Sequence, residues 1–271
     1  MSFKIGFTAG TEENKVADEV IPAINRTTQV KKSLVRVHFA ERNLTCTYYN
    51  DMFDLSVGDI VYVDGKLEGL RGRVVEVSYS FKIKLSDYKR VIAVADTNVS
   101  GEFHFAASHL FTLDKNALPF SKVLTWFKAP ADDDEYEIST NNSEFIVLDN
   151  LNTMNITPEI AKRGNDYYLQ NRVVYIEIDN TKGRAIVEGG NPYTVEFNYK
   201  NGEVTNLTCD CFCAGHCKHE FATMLQLRET LNIAKENYDI DCKADYIAII
   251  SKPAFYENAF DNKTLGSFTV G

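Results

Sequence analysis

Between Cys209 and His219 this chain places four of its six cysteines and two of its five histidines, within the run "TCDCFCAGHCKHEF", Thr208 to Phe221. So many soft donors in so short a stretch leave few structures open: they converge on a metal, pair as disulfides, or stand as reactive thiols. The rest of the chain bears on that choice. The opening "MSFKIGFTAGTEENKVADEV" has neither a basic nor an apolar leader region, and no stretch approaches the ~20 apolar residues of a membrane span. A cytoplasmic protein with no membrane partner is therefore expected. In that compartment thiols stay reduced, and clustered cysteines read as metal ligands.

The flanking sequence decides how the donors are presented. "RVVYIEID", "RAIVEG", "YTVEFNYK" and "EVTNLTC" are β-branched, aromatic and alternating, so each reads as a strand. Asn201-Gly202 between the last two signals a hairpin through a type I′ turn, which needs positive φ at both central residues. Its second strand ends at Cys209, so Cys209 and Cys211, two apart on an extended chain, share a face. Beyond His219, the residues Phe221, Met224, Leu225, Leu227 and Leu231 fall on one helical arc, which places Cys217 and His219 at the entry to an amphipathic helix. Cys209, Cys211, Cys217 and His219 then form Cys-x-Cys-x5-Cys-x-His, a full Cys3His shell for tetrahedral Zn2+. Four protein ligands leave no open position, which is the mark of a structural site. Cys213 and His216, inside the spacer, are the alternative metal ligands. A thioredoxin-like dithiol is disfavoured, because that pair wants two intervening residues and Cys213 and Cys217 have three.

These residues and their flanks resemble the SWIM zinc finger, whose motif is Cys-x-Cys, a variable spacer, then Cys-x-His. "RGNDYYLQNRVVYIEID" is similar to the segment preceding the finger in bacterial members, and the resemblance covers about Ile156 to Leu231. It implies a structural zinc and a role in binding DNA or protein partners. Members occur beside helicase and transposase domains. This chain shows no helicase motor, so a helicase partner would act in trans.

The first half is of a different character. "LVRVHFA", "LTCTYYN", "DIVYVDG" and "GRVVEVS" read as short strands punctuated by Gly and Asp, and Leu55 to Ser78 resembles the small SH3-like barrels of ribosomal and transcription-associated proteins. The formal charge of −9 opposes indiscriminate attraction to phosphates, but the excess acid lies in the middle of the chain: Asp96 to Glu159 has 3 basic and 11 acidic residues. The barrel region is instead mildly basic, and Lys66, Arg71, Arg73, Lys82, Lys84, Lys89 and Arg90 are its candidate nucleic-acid contacts. Tyr48, Tyr49, Tyr62, Tyr79, Phe81 and Tyr88 interleave with them; they would stack on bases or, more simply, fill the core.

The organisation expected is α+β: an N-terminal segment 1–30, a β-rich domain with a small barrel at 31–130, an acidic linker at 131–150, a SWIM zinc-finger domain of antiparallel strands plus helix at 151–235, and a C-terminal β extension at 236–271. No Walker loop, nucleophile elbow or H-E-x-x-H helix is present. The expected function is a non-catalytic zinc-binding protein that engages nucleic acid or a nucleic-acid-processing partner, with no small-molecule substrate. The alternatives are a protein–protein adaptor in which zinc is purely structural, and an enzyme whose site carries no recognised motif.

Overall fold

In the computed structural model the described residues are 3–5, 30–130, 145–240, 245–259 and 268–270. They fall into two compact units, residues 6–95 and residues 1–5 with 96–271. Most of the N-terminal segment, residues 131–144 of the expected acidic linker, and the turn expected near Asp261 lie outside the described residues. A short strand β1 (Phe3–Ile5) belongs to the larger unit.

The smaller unit is a five-stranded antiparallel sheet of β2 (Ser33–Phe39), β3 (Leu44–Asn50), β4 (Ile60–Val63), β5 (Gly72–Ser78) and β6 (Val91–Val94), in the order β3-β2-β5-β4-β6. Alternation makes the core: along β2, Val35, Val37 and Phe39 point inward while Arg36 and His38 stay outside. Tyr48, Leu55, Val61, Val63, Val74 and Val91 complete the cluster. The small SH3-like barrel expected here is, among the described residues, an antiparallel sheet without a closing ladder. Its outer strands β3 and β6 approach only at a single bridge, Tyr49 to Arg90, with Tyr49 N–H donating to the Lys89 carbonyl at 2.9 Å.

The larger unit is built on a ten-stranded sheet. Its further strands are β7 (Gly101–Ala106), β8 (His109–Thr112), β9 (Phe145–Val147), β10 (Val173–Asp179), β11 (Lys182–Glu188), β12 (Pro192–Lys200), β13 (Glu203–Cys209), β14 (Tyr246–Ser251) and β15 (Phe268–Val270). The order is β1-β15-β7-β8-β14-β10-β11-β12-β13-β9, antiparallel except for β15 beside β7. Residues 96–130 are part of this unit and contribute β7, β8 and helix α1 (Phe120–Phe127). The C-terminal stretch, expected to be all strand, enters the middle of the sheet as β14, between β8 and β10. It then turns into helix α4 (Lys252–Ala259), where Pro253 removes the N–H a central strand would need.

One face of the sheet is covered by helices α2 (Pro158–Leu169) and α3 (Lys218–Tyr238), over Ile176, Ile178, Ala185, Val187, Val195, Phe197 and Val204. Helix α2 starts as its sequence indicates, with Thr157 Oγ1 accepting from Ile160 N–H and Pro158 in the first turn. Gly164 lets α2 and α3 approach closely, since a Cβ there would lie 2.8 Å from the Phe221 ring and 3.0 Å from the Lys218 carbonyl. The opposite face carries α1. Glu177, buried and one residue out of phase with Ile176 and Ile178, accepts from the Phe120 N–H of α1 at 2.9 Å and from Arg184 at 2.7 Å. Among the described residues no helix is long and apolar enough to cross a membrane.

Candidate metal centre

The hairpin of β12 and β13 brings the first two donors into place. Its turn has φ of 53° at Asn201 and 86° at Gly202, the left-handed pair a type I′ turn requires, and β13 runs from it to end at Cys209. Helix α3 brings the other two. Cys217 is its N-cap and His219 lies in its first turn, with the Cys217 N–H donating to Glu220 Oε2 at 2.9 Å in the manner of a capping box.

The structure brings Cys209, Cys211, Cys217 and His219 together, with one donor atom from each lying within 4.8 Å of all the others. His219 Nδ1 is 3.6 Å from the Cys209 sulfur and 3.7 Å from the Cys217 sulfur. A tetrahedral ion with sulfur at about 2.3 Å and nitrogen at about 2.0 Å separates those atoms by about 3.6 Å, so these donors stand at coordination distance. Cys213 and His216 are not in the group. Cys213 is exposed, and His216 is occupied by Glu220, whose carboxylate lies 2.8 Å from its Nδ1.

The protonation of the sulfurs fits the same chemistry. The Cys217 thiol is pulled down to about 4, chiefly by a hydrogen bond from Cys209 and further by His219 and the Glu220 N–H. Cys209 is correspondingly pushed up by the proton it shares with Cys217, and burial pushes Cys211 up to about 12. Three buried or half-buried sulfurs cannot all ionise side by side at neutral pH. A divalent cation held here would supply the positive charge that the remaining thiolates need.

His219 is held by rings. Its imidazole stacks on Tyr193, with centroids 4.2 Å apart and planes 19° apart, and meets the edge of Tyr167 at 5.4 Å. Its Nε2 is buried with no hydrogen-bond partner among the described residues, so ring packing does the orienting that a carboxylate or carbonyl does at many metal-bound histidines. Sequence reading missed Tyr193 and Tyr167, since nothing in their spacing ties them to His219. Glu220 was missed too, although the Cys217–Glu220 spacing of a capping box was a signal that could have found it.

The candidate nucleic-acid residues belong to the smaller unit. Lys66, Lys82, Lys84 and Lys89 are exposed, and among the described residues no carboxylate pairs with them. Arg71 and Arg73 are half-buried, and Arg73 reaches the Gly58 carbonyl at 3.4 Å. Arg90 pairs with Asp51 at 2.7 Å and lies over the Tyr49 ring. Of the interleaved aromatics, Tyr48, Tyr49 and Tyr62 are core.

Fold and site define an α+β chain with a Cys3His group placed to hold a metal ion. Comparison with protein-family models, with curated proteins and with solved structures finds no match.

Proposed function

We propose that the four donors hold one structural Zn2+ in a SWIM-type finger, and that the chain is a non-catalytic binding protein for nucleic acid or for a nucleic-acid-processing protein such as a helicase in trans. The convergence of three sulfurs and one imidazole nitrogen within 4.8 Å carries the zinc reading, because it fills a tetrahedral shell and leaves no place for a substrate. The nucleic-acid reading is supported by Lys66, Lys82, Lys84 and Lys89, four exposed ammonium groups on one small unit of an otherwise acidic chain.

Fluorescence anisotropy with labelled single- and double-stranded DNA and RNA, titrated across salt, tests it. Contacts by four lysines give a log–log salt slope of about −3 to −4, which a Lys66→Glu, Lys82→Glu, Lys84→Glu, Lys89→Glu variant abolishes. Absence of binding at low salt to all four probes overturns the nucleic-acid reading. The adaptor reading then takes its place. It is favoured by Phe212, a fully exposed aromatic side chain between Cys211 and Cys213 on an uncharged tip.

A further inference from the structure

Four of the five described cysteines crowd into one loop, and only three of them belong to the donor group. Cys217 is buried, Cys209 and Cys211 are half-buried, and Cys213 is exposed. Cys213 stands two residues from Cys211, one of the donors. The chain bends at 210–212 and again at 214–216, and residues 212–215 are all exposed. A fully extended chain holds residues two apart at about 7 Å. A disulfide spans roughly 4.4–6.8 Å between Cα atoms, so closing one between Cys211 and Cys213 needs a bent chain of the kind found here. Gly215 has nothing within 4 Å of where a Cβ would stand, so the loop has room to adjust.

We propose that Cys213 is an oxidation site for hydroperoxides, and that its product is a Cys211–Cys213 disulfide that removes one of the four metal donors. This rests on the reading of the group as a zinc site. In the first step the Cys213 thiolate attacks the O–O bond. An S–O bond forms, the O–O bond breaks, and the departing oxygen leaves as water or alcohol. Sulfur is oxidised by two electrons to the sulfenic acid and the peroxide is reduced. In the second step the Cys211 sulfur attacks the sulfenic sulfur. An S–S bond forms, the S–O bond breaks, and hydroxide leaves and takes a proton to become water. Two thiols and one hydrogen peroxide thus give one disulfide and two waters. The remaining Cys209, Cys217 and His219 are one donor short of a closed shell, and the metal is released.

The deep placement of Cys217 and the half-burial of Cys209 direct the first step to Cys213, because access decides which thiol a peroxide meets. Cys213 is outside the donor group, so Cys213→Ser retains the metal while losing the entry point for oxidation.

The test uses the full zinc-loaded chain, reduced and then treated with hydrogen peroxide. Zinc release is followed with a chromogenic chelator and the cysteine pairing by peptide mass spectrometry. The wild type is expected to release zinc with appearance of the Cys211–Cys213 disulfide and to rebind it after dithiothreitol and zinc. Cys213→Ser is expected to carry the same zinc at the start and to release it at least about tenfold more slowly. Equal release rates in the two proteins, or a disulfide that does not include Cys213, overturn the proposal and leave the zinc reading standing. A wild-type chain that carries no zinc before oxidation overturns both.

Discussion

The Tyr193 ring lies flat against the His219 imidazole, with centroids 4.2 Å and planes 19° apart. Tyr193 sits on β12 and His219 on α3, so the contact ties the sheet to the helix at the metal centre. Because Nε2 of His219 has no hydrogen-bond partner among the described residues, this stacking is what fixes the ring. Tyr193→Ala is expected to weaken zinc binding about tenfold, the lower end of what loss of an orienting partner costs. Tyr193→Phe should restore it. Competition titration against a chelator of known affinity reads both.

Gly164 sets the distance between α2 and the first turn of α3. A methyl group there meets the Phe221 ring at 2.8 Å and the Lys218 carbonyl at 3.0 Å, and the carbonyl belongs to a helix that cannot yield without moving Cys217 and His219. Gly164→Ala gains about 1 kcal/mol of helix propensity. Overpacking costs about 1–3 kcal/mol, so a net loss of stability is expected. It should appear as a lower urea midpoint and weaker zinc binding together.

Loss of the metal is expected to act locally. From sequence, Cys209→Ala or Cys217→Ala is expected to unfold the C-terminal domain, since metal binding contributes directly to folding. Here Val173, Ile176, Ala185, Val195, Leu227 and Ala234 form a core that extends well beyond the donor group, and α3 runs 21 residues beyond its cap. Chelation or Cys217→Ala should therefore speed hydrogen exchange at the end of β13 and the first turns of α3, while β10, β11 and β14 keep their protection. Global loss of protection would contradict this.

A separate pH dependence comes from His109. Its imidazole is fully buried, donates from Nε2 to the Val173 carbonyl at 2.8 Å, and has Ser108 Oγ 2.9 Å from Nδ1. Burial lowers its pKa, outweighing the hydrogen bond to Val173 and the nearby Glu229, with Lys252 acting in the same direction as burial. The folded form is thus neutral where the unfolded chain, with an ordinary value near 6.5, takes up a proton. Stability from this group is complete above about pH 6.5 and falls as pH drops below it, by at most about 1.4 kcal/mol per pH unit. Urea denaturation at stepped pH should show that decline, and His109→Gln should flatten it.

The parts of the fold that were legible from sequence are those decided locally. The Asn201-Gly202 turn, the Thr157–Pro158 helix start and the arc of Leu227 and Leu231 each depend on neighbours within a few residues. The ligand set was legible for the same reason, since the cage closes within eleven positions, Cys209 to His219. Long-range pairing was not. Nothing in "YIAIIS" says that it slots between β8 and β10, because a fully buried central strand lacks the alternation that marks a half-exposed one. Closure of the smaller sheet was misread because glycines such as Gly65 and Gly72 suit tight bends in open and closed sheets alike. Gly72 instead leaves room for Val37 and Phe39, whose side chains would meet a Cβ there at 2.3 Å and 2.8 Å.

The most direct measurement is zinc content per chain in protein purified under reducing conditions, for the wild type, Cys217→Ala, Cys213→Ser and His216→Ala. One equivalent is expected in the wild type, in Cys213→Ser and in His216→Ala, and none in Cys217→Ala. A wild type without zinc, or loss in His216→Ala as complete as in Cys217→Ala, would contradict the assignment of Cys209, Cys211, Cys217 and His219 as the ligands.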